Sequence, residues 1–151
     1  MKKIKFVTEK MMWHVSALGT TLFMVVLGIA AFLAGKTNLS IQIVAGILIV
    51  YAIAFPIKWF FFRDRPAKKK YSNWIERFDA ASFPSAHANR AALLLVVLSS
   101  FFGNAYMTAF LFLLSILVPY TRIYLQRHRF GDIAFGYLLG IMEGIVIARF
   151  L

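Results

Sequence analysis

The sequence predicts an all-α membrane protein, a polytopic bundle of about five transmembrane helices and one short interfacial helix, in a single domain over residues 1–151. Hydrophobic residues make up 61% of the chain and the mean hydropathy is +0.75, above the range of soluble domains. Apolar runs of about 20 residues follow one another, and each is long enough as a helix to cross the roughly 30 Å hydrocarbon core. Lys and Arg gather at the ends of these runs, as in membrane-inserted chains.

The charge and the cysteine content narrow the classes of function. The formal net charge is +11, but the 17 Lys and Arg residues do not follow one exposed helix face, as they do in many nucleic-acid binding proteins. Anionic lipid head groups and the membrane bilayer are therefore the expected partners of this charge, and nucleic acid is not. The chain has no cysteine, which excludes disulfides and thiolate metal sites.

The first two apolar runs predict an antiparallel helical hairpin. Residues 11–34 carry no formal charge and lack a small-x-small cleavage site, so we expect a retained span rather than a signal peptide. His14 near its start is expected to be an interfacial or packing residue. Gly35 ends this helix, and residues 39–62 form the second run, which Pro56 and Lys58 interrupt.

Residues 63–83 form the long polar stretch of the chain, and they predict a short helix in the membrane interface. Asn73 as N-cap and Glu76 three residues later have the spacing of a capping box. Trp74, Ile75 and Phe78 would then share the apolar side of that helix.

Three further spans are predicted after the polar stretch. The third runs from Pro84 to about Phe102, the fourth over Ala105–Tyr124 and the fifth over Phe130–Phe150. Pro84 suits a first helical position, and the free amides at that helix start would form an anion site. Because successive spans alternate in direction, the ends of the second and fourth and the starts of the third and fifth lie on one side of the membrane.

The residues that can carry chemistry all belong to those four span ends. They are Lys58 and Arg65 at the end of the second span, Ser85 and His87 at the start of the third, Arg122 at the end of the fourth, and His128 and Asp132 at the start of the fifth. Positions i and i+4 share a helix face, so Asp132 is expected to accept the Nδ1 proton of His128 and leave Nε2 nucleophilic. Cations, helix-start amides and two histidines at one interface are what phosphoryl transfer through a histidine requires.

The order and spacing of these residues resemble the three signature motifs of the type 2 phosphatidic acid phosphatase superfamily. The matching positions are Lys58 with Arg65-Pro66, then Pro84-Ser85-Ala86-His87, then Arg122, His128 and Asp132, a motif core over residues 58–132. The superfamily includes membrane lipid phosphate phosphatases and soluble vanadium haloperoxidases. Ala86 stands where the family usually has Gly, and it keeps the backbone N–H. Thr121 stands where Ser usually precedes the Arg, and it keeps the hydroxyl. The usual family bundle has six spans, one more than predicted here.

The resemblance assigns a role to each motif residue. It implies that His128 is the nucleophile, that Asp132 orients and polarises it, and that His87 protonates the leaving oxygen and later activates water. It implies that the phosphate oxygens are held by Lys58, Arg65, Ser85, Ala86 and Arg122. The sequence has no carboxylate cluster with metal-ligand spacing, so we expect hydrolysis without metal or other cofactor.

The substrate should be a lipid phosphate, because the predicted site lies at head-group depth beside lipid-facing spans. The favoured substrate is a polyprenyl (undecaprenyl-type) phosphate or diphosphate, and the alternative is phosphatidic acid or phosphatidylglycerophosphate. A small anion channel or transporter is a hypothesis from another class. It explains the cations but gives no role to the pair of His128 and Asp132, and a purely structural membrane protein ranks third. The oligomeric state stays open.

Two further expectations concern the membrane itself. The distribution of cations predicts a cell-membrane protein with a cytoplasmic active site. On the side of the site lie Lys2, Lys3, Lys5, Lys10, Lys68, Lys69 and Lys70, against Lys36 and Arg149 opposite. Glu143, inside the fifth span, is expected to make a structural hydrogen bond to Ser99, Ser100 or Thr108, with a substrate-channel or proton-relay role as the alternative.

Overall fold

Seven helices make up the secondary structure of the described residues. The structure, a computed structural model, describes residues 2–67 and 70–151, with side chains from residue 6 onward. In chain order the helices are α1 (Lys2–Ala17), α2 (Thr21–Leu33), α3 (Thr37–Phe60), α4 (Trp74–Ala80), α5 (Ala86–Phe102), α6 (Ala105–Tyr124) and α7 (Phe130–Phe150). The all-α helical bundle predicted from the sequence is confirmed.

In the part of the chain that the structure describes, three to four elements qualify as membrane spans by length and composition. The helices α3, α6 and α7 each qualify alone, and α1 with α2 qualifies as one span bent by 50°. The predicted third span, α5, has 17 residues and is shorter than these three helices. It is also less apolar along its buried face, because it carries Asn89 and Arg90 there and packs among other helices instead of facing lipid.

The predicted first span is broken where a continuous helix was expected. The break lies between Ala17 and Thr21, and its cause is local hydrogen bonding. Thr20 is the N-cap of α2, with extended backbone, and its side chain accepts a hydrogen bond from the Phe23 amide at 3.2 Å. A Thr side chain that competes for backbone donors in this way starts a new helix and interrupts the old one.

Close backbone contact between α5 and α7 organises the end of the bundle that carries the motifs. A Cβ placed on Gly136 would overlap the Ser85 carbonyl oxygen, and one placed on Gly140 would overlap that of Asn89. Gly136 thus contacts Ser85, and Gly140, four residues later, contacts Asn89, also four residues later. The two helices therefore run parallel. The Ser85 amide also donates to the Asp132 carbonyl at 3.0 Å, which joins the second motif to the third.

The predicted interfacial helix is α4, and its cap is confirmed. The Asn73 side chain accepts from the Glu76 amide at 2.8 Å, while the Glu76 carboxylate accepts from the amide of Ser72 at 2.8 Å. Trp74 and Ile75 are both exposed, whereas the Phe78 ring stacks on Phe55 of α3 at 5.5 Å between centroids. The three side chains thus do not share one buried face. The predicted surface cations Lys68 and Lys69 lie outside the described residues.

Candidate active site

Five of the eight predicted site residues surround one pocket of about 100 Å³ at the motif end of the bundle. They are Lys58, Arg65, Ala86, His87 and His128. The end of α3, the start of α5 and the turn before α7 each supply part of the wall, so the predicted convergence of span ends holds for these residues. The pocket combines several cationic side chains with the N-terminal end of α5, an arrangement suited to an anion.

Lys58 and Arg65 form the cationic wall on the side of α3 and α4. Lys58 is buried in the last turn of α3, where its Nζ donates to the Ala81 carbonyl oxygen at 3.2 Å. Arg65 donates from Nη2 to the backbone oxygen of Asp79, and its buried Nε has no hydrogen-bond partner among the described residues. Burial lowers the pKa of Arg65 from its usual value, yet a guanidinium remains charged at physiological pH. Both side chains therefore hold positive charge toward the pocket.

His128 is held as a neutral imidazole with a defined tautomer. Its Nδ1 lies 2.7 Å from the Ser82 carbonyl oxygen, which can only accept, so Nδ1 carries the proton and Nε2 keeps a lone pair. Burial first, and then the positive charges of Arg122, Arg65 and Lys58, together lower the pKa of His128 to about 3 against the opposing effect of the Ser82 hydrogen bond. The side chain that lines the pocket is thus a neutral imidazole with a free lone pair on Nε2.

The expected hydrogen bond between Asp132 and His128 is not formed, and this prediction was wrong. Asp132 is fully buried, with Oδ1 3.0 Å from Nη1 of Arg63 and Oδ2 accepting from the Arg129 amide at 2.9 Å. The reason is the helix boundary. Arg129 is the N-cap of α7, so His128 precedes the helix and does not share a face with Asp132. Ser82 takes the place expected for the carboxylate.

Ser85 and Arg122 are buried beside the pocket instead of lining it. Ser85 is the N-cap of α5, and its hydroxyl accepts from the Ala88 amide at 3.5 Å. Arg122 donates from Nη1 to the Ser16 hydroxyl on α1 at 2.8 Å, and its carbonyl oxygen accepts from the His128 amide at 3.3 Å. These contacts fix the start of α5 and the turn that carries His128.

Two further residues of the candidate site were not predicted from the sequence. Arg90 lines the pocket one turn after His87, a spacing that places both on one face of α5 and was a usable signal. Arg63 forms the ion pair with Asp132. No sequence pattern joins these two, because they are far apart in the chain and meet only through tertiary packing.

Glu143 does not bond to the partners predicted for it. It is buried, and both carboxyl oxygens lack a hydrogen-bond partner within the described chain. The cause is the parallel register of α5 and α7, in which Gly144 lies against Leu93. Glu143 is therefore level with the middle of α5, where Asn89 is its polar neighbour, and Ser99 lies more than a turn farther along.

Comparison with protein families matches residues 39–151 to the PAP2 superfamily. Two crystal structures are similar to the whole bundle. LpxE from Aquifex aeolicus has a TM-score of 0.79 and 27% identity, covering 95% of this chain and 87% of that chain. The first transmembrane PAP2 type phosphatidylglycerolphosphate phosphatase from Bacillus subtilis has a TM-score of 0.65 and 21% identity, covering 95% and 76%, which shows a shared fold.

Proposed function

This chain belongs to the PAP2 superfamily, and we propose that it removes phosphate from a membrane lipid through a phosphohistidine intermediate on His128. One observation carries the proposal. Nδ1–H of His128 donates a hydrogen bond to the Ser82 carbonyl oxygen, in a pocket that Lys58, Arg65 and His87 also line. A neutral imidazole can attack the phosphorus of an anionic phosphate. The surrounding cations stabilise the negative charge on the phosphate oxygens during the transfer.

The proposed reaction has two steps. In the first, the Nε2 lone pair of His128 forms a bond to phosphorus, the bond from phosphorus to the lipid oxygen breaks, and His87 gives its proton to that oxygen. In the second, His87 takes a proton from water, the hydroxide attacks phosphorus, and the phosphorus–nitrogen bond breaks to restore His128. Lys58, Arg65 and Arg122 supply the positive charge that phosphoryl transfer demands, so no metal ion is needed in this scheme.

A lipid substrate is supported by the aromatic side chains around the motif end. Trp59, Phe60 and Phe61 at the end of α3 and Trp74 of α4 are exposed. Trp13 of α1 is exposed as well, and the Arg127 guanidinium lies 5.2 Å from its ring centroid. Tryptophan and other aromatic residues concentrate at head-group level, which is where the phosphate of a lipid resides.

We propose a polyprenyl phosphate or diphosphate of the undecaprenyl type as the substrate, with phosphatidic acid or phosphatidylglycerophosphate as the second candidate. Neither the fold shared at 21% identity with the phosphatidylglycerolphosphate phosphatase of Bacillus subtilis nor the position of the site at head-group level separates the two candidates. Release of phosphate by the purified protein from undecaprenyl diphosphate and from phosphatidylglycerophosphate, compared in the same detergent, separates the two.

The phosphohistidine is tested with substrate labelled in the transferred phosphate. Rapid mixing and alkaline quenching should leave label on the wild-type protein, in a linkage that acid removes. His128→Ala should carry no label and lose activity by about three orders of magnitude or more, the scale seen when a covalent nucleophile is removed. His87→Ala should lose activity while its thermal unfolding stays close to wild type. Excess chelator should leave wild-type turnover unchanged. Substantial turnover by His128→Ala would refute the proposed intermediate.

A further inference from the structure

The break between α1 and α2 lies directly against the candidate active site. Gly19 in this break is buried, and a Cβ placed on it would come within 3.2 Å of both Cβ and Cδ2 of His87. The same Cβ would lie 2.6 Å from Cγ1 of Val118 on α6. The His87 side chain therefore packs against the Gly19 backbone, and a methyl group at position 19 would press on His87 and force Val118 to shift.

Two buried arginines, from α5 and α6, also donate hydrogen bonds to this segment. Arg90 donates from Nε to the Gly19 carbonyl oxygen at 2.8 Å. Arg122 donates from Nη1 to the hydroxyl of Ser16 at 2.8 Å, and Ser16 is only 2% exposed. The short segment from Ser16 to Thr20 thus touches three residues of the proposed site.

The helix break is what makes the Gly19 carbonyl free to accept from Arg90. In a continuous helix the Phe23 amide would donate to the Gly19 carbonyl, four residues earlier. Here that amide donates to the Thr20 hydroxyl, and the Met24 amide donates to the Thr20 carbonyl. The cap that starts α2 therefore leaves a buried carbonyl oxygen unused by the helix, and Arg90 occupies it.

We propose that the break segment, residues 16–20, positions His87, Arg90 and Arg122 for phosphoryl transfer, and that Ser16 and Gly19 are positioning residues of the enzyme. The inference rests on the proposed function. It extends the site beyond the three motifs and beyond residues 39–151, the part of the chain matched by the family. Ser16 fixes the direction of the Arg122 guanidinium, and Gly19 fixes the His87 ring and Arg90.

Removing the Ser16 hydroxyl tests the first contact. In Ser16→Ala, Arg122 loses its partner, so KM for the lipid and the inhibition constant of orthovanadate should rise about tenfold, the effect of one lost charge-assisted hydrogen bond. The matched control is Ser40→Ala, which removes a hydroxyl that joins α3 to the Gly28 carbonyl of α2 at 2.9 Å. The control should change thermal stability and leave both constants within about twofold of wild type.

Gly19→Ala tests the second contact and should act on the chemical step. Its methyl group displaces the His87 ring, so kcat should fall about tenfold or more while KM changes little. The control is Gly46→Ala, whose Cβ would meet Cδ2 of Leu93 at 2.9 Å in the apolar core. That variant carries a comparable steric conflict away from the site, and its kcat should stay near wild type.

The outcomes separate the two proposals. If Ser16→Ala and Gly19→Ala lose thermal stability like their controls but keep wild-type KM, kcat and vanadate inhibition, the positioning role is overturned. If the wild-type protein releases no phosphate from either lipid, the proposed function fails. The positioning role is then judged by vanadate binding, measured as a shift in the unfolding temperature. Weaker binding by Ser16→Ala than by Ser40→Ala supports it, and equal binding or no binding by wild type overturns it.

Discussion

The imidazole of His128 donates its proton to a neutral carbonyl oxygen, and this partner sets the charge of the ring. A carboxylate in the same place would stabilise the imidazolium, whereas the Ser82 carbonyl does so only weakly. Burial, and then three nearby cations, keep the ring neutral. A neutral imidazole with a free lone pair is what the proposed attack on an anionic phosphate requires.

This arrangement predicts how stability depends on pH. The pKa of His128 is about 3 in the folded protein and about 6.5 when the chain is unfolded, so protonation favours unfolding. The stability contributed by the neutral ring is complete above pH 6.5 and is lost as the pH falls from 6.5 toward 3. At pH 5 the loss is about 2 kcal/mol. The unfolding temperature in detergent should thus fall more steeply between pH 7 and pH 5 for wild type than for His128→Asn. Equal slopes would contradict the buried neutral ring.

The Arg63–Asp132 ion pair predicts that Asp132 acts through Arg63. Asp132→Asn and Arg63→Gln should each reduce activity strongly, because each leaves a partner of the pair unbalanced beside the His128 turn. The double variant should lose little more than either single variant, since both remove the same contact. A mild Arg63→Gln combined with a severe Asp132→Asn would instead show that the carboxylate acts on His128 directly.

At the scale of the elements, the α5–α7 contact brings the second and third motifs together. Gly140→Ala should destabilise the protein strongly and abolish activity, because the added methyl overlaps the Asn89 carbonyl oxygen and backbone cannot move aside cheaply. Gly131→Ala on the same helix is the control, since a Cβ there meets nothing within 4 Å. It should leave unfolding temperature and turnover close to wild type. Similar effects of the two substitutions would argue against the close helix contact.

A helix boundary in this chain is predictable from the sequence where a local residue signal marks it. Gly103 adopts the left-handed conformation that ends α5, and Asn104 caps α6, so the start of the fourth span is placed correctly. The break at Thr20 is missed because its cap lies inside an otherwise continuous apolar run. The start of α7 at Phe130 is also placed correctly. The error at this end was to apply the i, i+4 geometry of a helix to His128, which precedes the N-cap Arg129 and is not part of the helix.

The residues of the candidate site are likewise predictable where a motif marks them, and not where only tertiary packing brings them together. Motif spacing brings Lys58, His87 and His128 to one pocket, because each lies near the end of a long apolar segment. Ser16 belongs to a segment without a motif, and its contact with Arg122 joins positions 106 residues apart. Such pairs arise from helix packing, which a single sequence does not encode in a readable pattern.

The orientation of the whole molecule is the remaining proposal, with the motif end in the cytoplasm. The chain has no native cysteine, so single cysteines at Lys70 and Asn38, both exposed, can be probed without background. With a membrane-impermeant thiol reagent on intact cells, Asn38→Cys should react and Lys70→Cys should not. The reverse pattern would place the site outside and favour recycling of a carrier lipid released there.

The short length of α5 has a consequence for the depth of the reaction. The turn at Gly103 and Asn104 joins α5, which has 17 residues, to the antiparallel α6, which has 20. Measured from that turn, the start of α5, with His87, therefore lies about one helical turn short of the end of α6. Ions in the surrounding solution screen charges at such depth much less than charges at the surface. Added salt should consequently weaken catalysis far less than the high net charge of the chain would suggest.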